Sequence, residues 1–151
     1  MARVIFHVLP APQPAATDNA NAELDWICKL AEKYFLAGER VYVACPDQAT
    51  AETVDERLFS FEADSFVPHN LQGEGPSSGA PVEIGWQPPR GRRNVLINLH
   101  PTLPPFALQS ALIVELVPVD EQRKAAARER FKLYRSQGHQ VETLDLASQP
   151  L

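Results

Sequence analysis

Short apolar runs alternate along the chain with longer stretches in which apolar residues recur every three or four positions. The run "RVIFHVL" (Arg3 to Leu9) is rich in β-branched and aromatic residues and stops at Pro10, as a first strand does. In the next stretch Leu24, Ile27, Cys28, Ala31, Tyr34 and Phe35 fall on one helical face, with Asp18, Asn19 or Asn21 available as N-cap and Gly38 as the stop. "RVYVAC" (Arg40 to Cys45) is continuously apolar after its first residue, the pattern of a strand covered on both faces. A second helix is expected over Asp47 to Ser60, with Ala51, Val54, Leu58 and the marginal Phe59 on its inward face. Further strands are expected at Val82 to Trp86, Asn94 to Leu99 and Ala111 to Val117. A helix from Asp120 to Gln137, ended by Gly138, and an edge strand near Gln140 to Leu146 follow. Strands that alternate with helices imply a three-layer α/β fold built on an open, mostly parallel sheet with flanking helices. No repeat and no long linker interrupts the pattern, so residues 1–151 are expected to form one domain.

Composition adds little to that picture except for proline. The chain is 44% hydrophobic and 22% charged, ordinary for a globular protein, but it has 14 prolines in 151 residues, well above the usual ~5%. They gather between the periodic segments, as stiff connectors do. Cys28 and Cys45 each sit in an apolar segment without another cysteine or a histidine at metal-ligand spacing, which reads as two buried thiols in a reducing compartment. The N-terminal apolar run is too short for a signal peptide, and no run approaches the ~18 residues needed to cross a bilayer. The expectation is a cytoplasmic protein with no membrane association.

Candidate catalytic chemistry is thin. The segment "SFVPHNLQGEGPSSGAPVEIGW" (Ser65 to Trp86) invites comparison with phosphate-cradling loops, but it leads into a strand and contains neither a Walker lysine nor G-x-G-x-x-G. Its glycines and prolines read as a stiffened structural loop, and His69 as a hydrogen-bonded residue holding the turn from Pro68 to Leu71. His7, His69, His100 and His139 are scattered, and no carboxylate pair, triad or metal cluster is visible. No catalytic residue, cofactor or metal is expected. "PPRGRR" (Pro88 to Arg93) reads as a solvated loop, the alternative being that Arg90, Arg92 and Arg93 extend a positive surface field.

Charge is informative. The net charge of −5 argues against general nucleic-acid binding. Yet Arg123, Lys124, Arg128, Arg130, Lys132 and Arg135 face only Glu129 in their segment, so that segment carries +5 and the rest of the chain −10. At 100° per residue Lys124, Arg128, Phe131, Lys132 and Arg135 lie within about a quarter-turn of one another. Glu129 points away from them, so the usual i,i+4 acid partners are expected to be missing. Arg130 falls among Ala126, Ala127, Leu133 and Tyr134, where it reads as a paired structural arginine. A cationic face of this kind on an acidic protein points to a specific anionic partner.

The loop string quoted above, followed by "VPVDEQRKAAARERFKLYRSQG", closely resembles the chi subunit family of the bacterial DNA polymerase III holoenzyme, and the similarity runs essentially end to end. The resemblance implies a Rossmann-like, non-catalytic adaptor of the clamp loader, taking part in DNA replication and touching DNA only indirectly. It also implies a monomer that forms a heterodimer with the psi subunit. A second surface would grip the acidic, Phe-ending C-terminal tail of single-stranded-DNA-binding protein. That tail site carries over onto Lys124, Arg128, Phe131 and Lys132, with Val117 as apolar wall, although tyrosine is often found where this chain has Phe131. The psi surface carries over onto Phe59, Phe66 and Pro68, with Phe59 where tryptophan is familiar. The other classes considered are a nucleotide-binding α/β enzyme and a direct single-stranded-DNA binder.

Overall fold

The computed structural model describes residues 2–10, 19–60, 67–74, 79–89, 91 and 93–148. Asp18, Phe66, residues 75–78, Arg90 and Arg92 therefore lie outside the described residues. The elements run β1 (Arg3–Val8), α1 (Asn19–Leu36), β2 (Val41–Ala44), α2 (Gln48–Ser60), β3 (His69–Leu71), β4 (Val82–Gly85), β5 (Val95–Asn98), a 3-10 turn (Pro105–Gln109), β6 (Leu112–Val117), α3 (Glu121–Ser136) and β7 (Gln140–Asp145). Among the described residues every strand pairing is parallel, and the order across the sheet is β3-β4-β2-β5-β6-β1-β7.

Period-2 alternation divides β2, β5 and β6 between two cores. Val41 and Val43 of β2 join Val82, Ile84, Val95, Ile97, Val114 and Leu116 under α1 and α2, which contribute Ile27, Leu30, Ala51, Val54 and Leu58. Tyr42, Ala44, Leu96, Ile113, Val4 and Phe6 point the other way and meet Ala127 and Tyr134 of α3. Because both faces are covered, β2 and β5 are almost wholly apolar. Cys28 and Cys45 are free and buried, and burial pushes both thiols up to about 12. Among the described residues no helix is long and apolar enough to cross a membrane.

Two expectations are corrected here. Pro68 to Leu71 is not a turn: His69–Leu71 is the edge strand β3, registered against Val82–Ile84. Arg93 is neither solvated nor part of a surface field. It is 2% exposed, donates to the carbonyls of Ala80 (2.8 Å) and Pro81 (3.0 Å), and lies 3.6 Å from the Glu83 carboxylate. It belongs to a polar cover that replaces a helix over β3 and β4 on the α3 side. Gln72 Oε1 accepts from the amides of Trp86 (3.2 Å) and Gln87 (3.1 Å), and Asn70 Oδ1 accepts from the Ala80 amide (2.6 Å). Gly73 and Gly79, at φ 90° and 77°, make the reversals this cover needs, and a Cβ on Gly85 would strike the Gln72 and Tyr42 side chains. The described part of the glycine-rich string, residues 67–74 and 79–86, is thus a hydrogen-bonded clasp.

A buried histidine and a partly buried one predict a pH dependence. His7 is fully buried, its Nε2 has no hydrogen-bond partner among the described residues, and burial lowers its pKa; burial also lowers that of His100. A histidine in the unfolded chain binds a proton near pH 6.5, so below that pH the unfolded state takes up protons that the native state refuses. Stability is therefore full above about pH 6.5 and falls as pH drops toward the folded value. The carboxylates held low, Asp47, Asp120 and Glu142, titrate below this window, while Glu115, pushed up by burial, acts in the opposite sense. The comparison that isolates the histidine is His7→Gln: its urea midpoint should change less between pH 7.5 and 5.5 than that of the natural chain. Equal pH slopes would remove His7 from this account.

Candidate partner-binding surfaces

Helix α3 begins where Asp120 accepts from the Arg123 amide at 3.0 Å, and it ends ahead of Gly138, whose φ of 83° suits only glycine. Its inward stripe is Ala127, Arg130 and Tyr134. Beneath it Glu115 of β6 is fully buried and receives Arg130 Nε (3.0 Å), Tyr134 Oη (2.7 Å) and Asn98 Nδ2 (2.9 Å), while Arg130 Nη1 also donates to the Pro101 carbonyl (2.9 Å). Burial pushes the Glu115 carboxyl up, and the Arg130 charge with the three donated bonds pulls it back. Arg130 is the paired structural arginine that its position implied. Arg123 is structural too, with its two Nη atoms donating to Glu23 of α1 at 2.6 and 2.9 Å.

Clamped in this way, α3 turns the rest of its basic face toward β1 and β7. Lys124, Arg128, Phe131 and Lys132 form one side of a groove of about 430 Å³, Val117 closes its end, and Phe6, Val8 and Thr143 also line it. Phe131 packs on Phe6 with ring centroids 5.3 Å apart, and the Arg135 guanidinium lies 5.9 Å from the Phe131 ring. The expected absence of acid partners does not hold. Lys132 meets Glu129 at 3.4 Å and Lys124 meets Glu121 at 3.7 Å, both at i,i+3, where long side chains easily close an offset of about 60°. Arg128, exposed at the centre of the row, has no acid partner among the described residues.

A second surface lies on the opposite face, at the β3 edge. Phe59, on the last turn of α2, is 85% exposed and does not join the core. It borders a cleft of about 730 Å³ together with Val67, Pro68, His69, Ala80, Glu52, Asp55 and Glu56. His69 is held by the Val67 carbonyl at 2.8 Å and by Asp55 at 3.3 Å. Phe59 and Pro68 are thus brought together, while Phe66 lies outside the described residues. The family model described as DNA polymerase III chi subunit, HolC, matches residues 1–142.

The chain belongs to the DNA polymerase III chi subunit family. The chi subunit of Escherichia coli (strain K12) is 39% identical over 145 residues, which cover 95% of this chain and 97% of that one. That of Pseudomonas aeruginosa PAO1 is 38% identical over 143 residues, 94% and 95% of the two chains. That of Haemophilus influenzae is 38% identical over 130 residues, 84% and 90%. Membership in the chi family makes the chain an accessory subunit of DNA polymerase III, acting in DNA replication. The solved structure titled "The crystal structure of T4 UvsW" superposes with a TM-score of 0.62 at 14% identity, covering 96% of this chain and 41% of that one; this likeness is one of fold alone.

In this chi-family chain the five residues expected to grip a tail line one groove, while Phe6, Val8 and Thr143 were not anticipated. Their signal is topological, since β1 and β7 reach the groove only through sheet order. The crevice at the strand ends, where open α/β sheets often bind ligands, is a cavity of about 460 Å³ lined by Thr50, Asn98, His100, Leu116, Arg123 and Arg130, among others. Both arginines are committed to carboxylates, and Asp47 already caps the start of α2 at 2.8 Å from the Thr50 amide. An incoming phosphate would find its natural donors taken.

Proposed function

We propose that this chain is a non-catalytic adaptor that binds the acidic, Phe-ending tail of single-stranded-DNA-binding protein on the α3 groove and the psi subunit on the α2/β3 surface. The observation that supports the tail most is Arg128, without an acid partner among the described residues, set between two lysines over an apolar floor of Phe6, Val8 and Phe131. A terminal phenylalanine needs an apolar recess, and the carboxylate beside it needs a fork-shaped cation; the groove offers both within one helix face. The two surfaces lie on opposite faces and toward opposite edges of a seven-strand sheet, which at ~4.8 Å per strand is about 29 Å wide, so both partners fit at once.

Calorimetric titration with a short acidic peptide ending in Pro-Phe tests the reading. Saturable binding that is lost when the final phenylalanine is removed is expected. Equal binding by the truncated peptide would make the face a generic electrostatic surface. Binding of ATP or of free single-stranded DNA at similar affinity would favour the other two classes.

A further inference from the structure

The α2/β3 surface has a charge pattern opposite to that of the groove. Glu52, Asp55, Glu56 and Phe59 follow i, i+3, i+4 and i+7 spacing, so three carboxylates share one helical face with an exposed ring. Glu52 and Glu56 are exposed and have no cationic partner among the described residues; Glu52 accepts only from the neutral Gln48 amide, at 3.2 Å. Asp55 meets His69, and among the described residues no lysine or arginine borders the cleft. Arg57, the basic residue of this helix, points away to Asp25 at 2.7 Å.

We infer that the psi segment docking here presents an apolar side chain flanked by lysine or arginine. This rests on the proposed psi docking and adds its chemistry. The apolar group settles against Phe59, Val67 and Pro68, and the flanking cations relieve the repulsion among Glu52, Asp55 and Glu56. The same signs give specificity. An acidic tail is repelled from the α2/β3 surface and a basic segment from α3, so each partner is excluded from the other's site by like charge.

The test measures binding of the full chain to the psi subunit encoded by the same genome, across a salt series, for four proteins: the natural chain, Glu52→Gln/Glu56→Gln, Glu52→Lys/Glu56→Lys and Phe59→Asp. Circular dichroism first checks that each retains its helix content, as expected for exposed positions. Charge reversal should weaken psi binding by roughly tenfold or more, and neutralisation should weaken it less while flattening its salt dependence. Phe59→Asp should abolish it. If both charge variants bind like the natural chain while Phe59→Asp does not bind, the cationic segment is refuted and the docking surface stands. If the natural chain fails to bind psi, or Phe59→Asp binds normally, the docking reading falls and this inference with it.

Discussion

Arg128→Ala should weaken the binding of a Phe-ending acidic peptide by more than tenfold. A guanidinium engaging a carboxylate in a partly desolvated recess contributes about 2 kcal/mol, whereas an exposed charge pair contributes at most about 1 kcal/mol. Lys124→Ala and Lys132→Ala should each cost less, because both ammonium groups already hold a glutamate of their own helix and Lys132 is largely exposed. A corollary follows from that pairing: Glu129→Gln frees Lys132 and should strengthen binding slightly at low salt, an effect that disappears as the Debye length shrinks. Calorimetry at two salt concentrations reads all four variants. A loss for Arg128→Ala no larger than for Lys132→Ala would remove the arginine from the centre of the site.

Arg130→Ala should destabilise the protein by about 3–5 kcal/mol, since it strands the buried Glu115 carboxylate without its charge partner. For a chain of this length that corresponds to a drop in Tm of roughly 10–15 °C. Glu115→Ala should be comparably damaging, because Arg130, Tyr134 and Asn98 all lose the same acceptor. The double substitution Glu115→Leu/Arg130→Met should recover part of the loss, as apolar residues of similar volume often substitute for a buried ion pair, though Tyr134 and Asn98 would remain unsatisfied. Thermal melts followed by circular dichroism measure these effects. A change below about 1 kcal/mol for Arg130→Ala would mean that α3 is seated by its apolar stripe alone.

How much was legible follows from the range of the signals. β1, β2, β5 and β6 announce themselves because strands covered on both faces are mostly apolar, and α1 and α3 because a period of 3.6 survives over many residues. β3 is hidden: three residues cannot establish a period, and His-Asn-Leu has little strand propensity. Arg93 reads as solvated because its loop is polar, and its burial depends on carbonyls of the β3–β4 connection and on Glu83. The cationic half of the groove is visible because it lies on one helix. Its floor is not, because Phe6 and Val8 stand more than a hundred residues earlier in the chain. The i,i+3 pairs were missed for a simpler reason: angle alone ignores the reach of lysine and glutamate.

The strand order also has a temporal consequence. β3, β4, β2 and β5 are neighbours in the sheet and all lie between Val41 and Asn98, so they can assemble as soon as that stretch has been made. β1 has no such option. Its ladders run to β6 and β7, and Arg3 meets Glu142 across 139 positions of chain. At synthesis rates of about 5–20 residues per second, β1 waits on the order of ten seconds for its partners with both edges open. A product cut short before β7 would keep the α2/β3 surface, while the groove would lack the wall that Thr143 supplies and β1 would be paired on its β6 side alone.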